Sequence, residues 1–79
     1  MNLMLYKKQH QKGEEFTNKK ITKAEIITLQ GLTVMTTYFN AEEEVRINLP
    51  TDYKGIYLVR ITDTDGLTYV RKMMVRFKE

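Results

Sequence analysis

Gly55-Ile56-Tyr57-Leu58-Val59-Arg60-Ile61, Asp63-Thr64-Asp65-Gly66 and Tyr69-Val70-Arg71-Lys72-Met73-Met74-Val75 follow one another in the last third of the chain. The two outer runs are rich in β-branched and aromatic residues, which pack well on a pleated surface, and the acidic segment between them ends in a turn glycine. Together they predict a β-hairpin that ends the protein. In the first run Tyr57, Val59 and Ile61 share a face while Ile56 and Leu58 take the other, the two-sided pattern of a central strand. The second sets Tyr69, Arg71, Met73, Val75 and Phe77 against Val70, Lys72, Met74 and Arg76, a mixed pattern that suits a strand near an edge.

Upstream, apolar periodicity is again two. Residues 44–49 alternate most cleanly, with Val45, Ile47 and Leu49 inward and Glu44, Arg46 and Asn48 outward, until Pro50 ends the strand because it cannot donate a ladder hydrogen bond. Residues 21–29 place Ile21, Ile27 and Leu29 on one face and Ala24 and Ile26 on the other, so this strand too is expected to be covered on both sides. Gln30-Gly31 then reads as a tight hairpin turn and residues 32–39 as the returning strand, with a further turn expected over residues 40–43. Residues 9–20 are polar, contain Gly13 and read as a loop or arm, and residues 3–8 as a short strand. Five strands and a short sixth, spaced by about eight to twelve residues, predict an all-β fold: a small antiparallel β-sandwich or barrel. The chain divides into an N-terminal arm or short edge strand, residues 1–20, and a β-sandwich domain, residues 21–79.

Seventy-nine residues allow one domain with a thin core, since chains of this size bury only about 60–65% of their unfolded surface. The balance of 13 Lys plus Arg against 10 Asp plus Glu is spread along the chain and reads as ordinary solvation. Met1-Asn2-Leu3-Met4-Leu5-Tyr6 is apolar for too few residues to be a signal peptide or a membrane span. A complete product of this length is therefore expected in the cytoplasm, whereas a piece of a longer exported precursor is expected to be secreted or held at the cell surface.

The order of features from Ile21 to Val34, then Val45-Arg46-Ile47-Asn48-Leu49, Lys54-Gly55-Ile56-Tyr57-Leu58-Val59, Asp65-Gly66 and Lys72-Met73-Met74-Val75 resembles the type A carboxy-terminal sorting domain of the type IX secretion system. The resemblance implies an immunoglobulin-like β-sandwich, a non-catalytic sorting function, a protein export machinery as partner, and a recognition motif of Gly31, Gly55, Tyr57, Asp65, Gly66, Lys72 and Val75. That family usually opens with a Pro-Asn-Pro strand, and residues 1–20 contain no proline. The first family strand is thus expected to be missing, leaving an open sheet edge. Such an edge predicts a homodimer by strand pairing or swapping, with residues 1–6 buried against a partner.

Four of the motif residues also have a structural reading. Gly31 and Gly55 relieve backbone strain at turns, Tyr57 packs its ring in the core with its hydroxyl at the rim, and Lys72 protects an edge strand. No enzyme is expected. The chain has neither serine nor cysteine, so the common Ser–His and Cys–His nucleophile pairs are absent. His10 has no ligand at a recognisable metal spacing, and Asp63-Thr64-Asp65-Gly66 lacks the later ligands of a calcium loop, so neither metal nor cofactor is expected. An OB-type nucleic-acid binder would need Lys7, Lys8, Lys12, Lys19 and Lys20 on one face, and the carboxylates at 42–44, 63 and 65 oppose a continuous basic groove. The alternative to sorting is a stand-alone structural or interaction β-sandwich that self-associates through its open edge.

Overall fold

A computed structural model describes residues 1–7 and 19–76, where the alternating runs become six strands: β1 Asn2–Lys7, β2 Ile21–Thr28, β3 Thr33–Glu42, β4 Glu44–Asn48, β5 Gly55–Asp63 and β6 Thr68–Val75. Every pairing is antiparallel. One sheet holds four strands in the order β3-β2-β5-β6 and the other holds β1 and β4. The two strands read as covered on both sides, β2 and β5, are indeed central, and the mixed-pattern β6 is an edge. His10 and most of the expected arm lie outside the described residues, as does Phe77.

The sheets pack face to face. Ile21, Ala24, Ile26, Val59, Ile61 and Val75 of the larger sheet meet Tyr6, Val45 and Ile47 of the smaller one and Leu49 just beyond it. Fully burying an aliphatic side chain contributes roughly 1.5–3 kcal/mol, so this single apolar layer drives assembly of the sandwich. Glu25 and Ile27 are also buried, but Glu25 is paired with Arg60 and Ile27 with Leu58 on the opposite, outward face of the sheet.

Several details differ from the sequence reading, and each has a local cause. Ile21 was expected to share a face with Ile27 and Leu29, yet it lies in the core with Ala24 and Ile26. Between Ile21 and Lys23 the register slips against both neighbouring strands, and one extra residue in a bulge moves side chains to the other face. Leu29 is not a strand residue at all. It sits in the turn, 55% exposed, and that turn spans four residues between β2 and β3 instead of two, closed by bonds from the Thr28 amide to the Leu32 carbonyl (2.8 Å) and from the Gly31 amide to the Thr28 carbonyl (2.9 Å).

The expected turn at residues 40–43 is largely strand. β3 runs on to Glu42 and the chain passes into β4 with only Glu43 between them, a corner made by Ala41 at φ 56°. A non-glycine residue in the left-handed region costs roughly 1–2 kcal/mol, which the burial of Val45 immediately downstream opposes. The short strand read over residues 3–8 is present as β1. β1 pairs with β4 in the same chain, Leu3 opposite Ile47 and Tyr6 opposite Val45, and a bulge between Met4 and Tyr6 turns the Tyr6 ring into the core. The Tyr6 hydroxyl donates to the Lys19 carbonyl at 2.9 Å.

Candidate recognition surface

Antiparallel pairing gathers the end of β2, the start of β3, the start of β5 and the end of β6 at one end of the larger sheet. Gly31, Gly55, Tyr57 and Val75 all lie there. Gly31 (φ 95°) is in the β2–β3 turn, and Gly55 (φ 107°) opens β5 directly opposite Val75 of β6. Around Gly55 a Cβ atom would meet nothing within 4 Å, so the position needs glycine for its backbone angle and not for space. Tyr57 is half-buried between Thr28 and Met73 in the register, and its ring stacks on Tyr53 at 5.7 Å between centroids. The Tyr53 hydroxyl donates to the Val34 carbonyl at 3.1 Å, tying the β4–β5 connection to β3. Val75 is buried in the core. A partner cannot touch it while the domain is folded.

Asp65 and Gly66 lie at the opposite end, in the β5–β6 turn. The organising residue there is Asp63, which the sequence reading placed in the acidic turn without assigning it a structural role. Its Oδ1 accepts from the Asp65 amide (2.8 Å) and the Leu67 amide (3.1 Å), and its Oδ2 accepts from the Tyr69 hydroxyl (3.0 Å). Burial alone pushes the Asp63 carboxyl upward, but those three donors outweigh it and hold the group below the ordinary carboxylate value. Asp65 points to solvent and pairs with Lys19 at 2.7 Å, while Gly66 (φ 85°) donates its amide to the Asp63 carbonyl at 3.0 Å. Asp63 is thus spent on turn geometry.

Lys72 stands apart from both ends. It projects from the middle of β6 opposite Leu58, on the outward face, with Val70 and Met74 two residues away on either side and also exposed. Arg71 and Met73 face the other way and, with Lys72, Met4, Leu5 and Val59, line a cleft of about 180 Å³ between β6 and β1. One side of β6 is paired with β5, and the other carries no strand among the described residues. The seven motif residues therefore do not converge on one site. Two ends of a sheet are held in shape, and a charged edge strand runs between them.

One polar contact was not foreseen. Arg60 donates from Nε to Glu25 Oε1 (2.8 Å) and from an Nη to Oε2 (2.9 Å) across the β2–β5 pair. The guanidinium holds the Glu25 carboxyl below its usual range against the opposing effect of burial, with Lys23 adding to the fall. The signal was present in the alternation: both residues occupy outward positions of adjacent central strands, where a carboxylate is tolerated only if paired.

The described residues form two antiparallel sheets, with Gly31 and Gly66 in turns and Gly55 at the start of β5. Residues 8–76 match the family described as the secretion system C-terminal sorting domain, so the chain belongs to that family, the sorting tails of type IX secretion. The match begins just after β1. Comparison with curated proteins and with solved structures returns no match.

Proposed function

We propose that this domain is the non-catalytic address by which an outer-membrane export machinery selects a cargo protein, and that it reads the folded immunoglobulin-like sandwich through the β6 edge. The observation that supports this is the family match over residues 8–76, combined with β6, which offers Lys72 and, among the described residues, an edge with no strand beside it. A strand edge supplies main-chain hydrogen bonds for affinity, and alternate side chains supply specificity. Gly31, Gly55, Tyr57 and Val75 act by fixing the sheet end from which β6 leaves, and Asp65 and Gly66 by fixing the turn that starts it. In this reading residues 21–79 form the sorting unit, residues 1–20 bring in β1, and the protein bearing them reaches the cell surface or the medium.

The test is a fusion of the whole chain to a reporter carrying an export signal, in a host with type IX machinery. Surface delivery of the fusion, and its loss on Lys72→Glu with the fold retained by circular dichroism, are expected. Delivery undiminished by that charge reversal would remove β6 from the recognised surface, and no delivery of the unaltered fusion would remove the sorting reading itself.

A further inference from the structure

From Ile26 through Ala41, sixteen residues in succession, there is no Asp, Glu, Lys, Arg or His, in a chain that is 29% charged. This neutral stretch is the end of β2, the turn and nearly all of β3, and among the described residues β3 is the second edge strand of the larger sheet, touched near its start by the Tyr53 hydroxyl on the Val34 carbonyl. Four large apolar side chains stand exposed on it: Leu29, Leu32, Val34 and Tyr38, the last 75% exposed. The two edges are treated differently. β6 carries Arg71 and Lys72 at its middle, the kind of charge that keeps an edge from pairing with copies of itself, whereas β3 has none before Glu42 and no proline to interrupt its ladder.

We propose that β3 is a self-pairing edge, at which two copies of this domain join their four-stranded sheets into one continuous eight-stranded sheet. The proposal goes beyond the sorting reading and does not depend on it. Residues directly opposite in an antiparallel pair point to the same face, and the regular part of β3, paired with β2 from Met35 to Tyr38, is centred near Thr36. A two-fold axis through Thr36 sets it against the partner's Thr36 and Met35 against the partner's Thr37, and just beyond the regular stretch it brings Tyr38 towards the partner's Val34, the bulged residue of β3. Threonine pairs and aromatic–β-branched pairs are among the stabilising cross-strand combinations. The neutrality of the strand favours a copy over a charged foreign segment. It offers no complement to a charged partner and no like-charge repulsion to itself.

Sedimentation velocity from micromolar to millimolar concentration tests the idea on the full chain. A concentration-dependent dimer is expected, and Thr36→Lys, at an exposed position that leaves the core intact, should weaken it at least about tenfold by placing two ammonium groups face to face. A second variant addresses geometry. The chain has no cysteine, so Thr36→Cys should oxidise to a linked dimer much faster than Val70→Cys on the β6 edge, because directly opposed Cβ atoms lie only about 4.5–5.5 Å apart. A monomer at every concentration overturns the proposal. So does a dimer indifferent to Thr36→Lys, or one that cross-links as readily through position 70.

Discussion

Asp63 shows how much a single side chain governs in so small a domain. It is 1% exposed, yet both its oxygens are bonded, to two amides of the β5–β6 turn and to Tyr69. A carboxylate held below its unfolded value stabilises the fold fully above that unfolded value, and the contribution is lost as pH falls through the folded one. Glu25 carries the same sign through Arg60. Thermal melts should therefore be level from neutrality down to about pH 4.5 and fall below about pH 4, the ordinary range of Asp and Glu. Asp63→Asn should lower the neutral-pH midpoint and flatten the acid limb. An unchanged acid limb in that variant would show that the turn carboxylate is not linked to folding. Among apolar residues, Ile47→Ala and Val59→Ala each remove a buried side chain from the layer between the sheets, and each should cost roughly 2–4 kcal/mol. Urea melts measure this, and a loss below about half a kcal/mol at both sites would contradict their inward placement.

At the scale of elements, β1 is the strand whose role depends least on its own sequence. Among the described residues β1 is β4's only strand partner, and it brings Tyr6 into the core although it lies outside the segment that matches the family. Removing residues 1–7 leaves β4 with both edges open and uncovers Val45 and Ile47. A chain beginning at residue 8 is expected to lose cooperative unfolding, since deletion of one large core aromatic alone costs about 3–5 kcal/mol against a typical domain stability of about 5–15 kcal/mol. Guanidinium melts of the two lengths make the comparison, and superimposable curves would mean that β1 rests on the sandwich without supporting it. The same consideration explains why residues 1–79, and not 21–79 alone, are the fusion of choice for testing export.

For the whole molecule, the arrangement of edges is the functional variable. The larger sheet ends in a charged strand, β6, and a neutral strand, β3, and under the two proposals these would meet different partners: a machinery reading Lys72 and its neighbours, and a second copy. The two can act together because β3 and β6 lie at opposite margins of the sheet. Pairing along β3 leaves the β6 edge and the cleft beside β1 open, so a dimer of tails would present two recognition edges at once. The open edge expected from a missing first strand is replaced by this one, because the chain closes the β1–β4 pair from within.

Strand positions, the central places of β2 and β5 and the edge character of β6 were determined by the sequence alone. Period-two alternation is a local property, and central strands need apolar residues on both faces whatever surrounds them. The motif glycines were legible for the same reason: Gly31, Gly55 and Gly66 all have positive φ, a backbone requirement written at one position. What alternation cannot carry is the phase after an inserted residue. The bulges near Thr22 and Leu5 decided that Ile21 joins Ala24 and Ile26, and that Tyr6 turns inward, and a bulge is chosen by how two strands twist over a shared core. The joining of residues 2–7 to residues 44–48, the Glu25–Arg60 pair and the second role of Asp63 were likewise decided only in three dimensions. Each depends on which strand lies beside which, and that is settled by closing the apolar layer between the sheets.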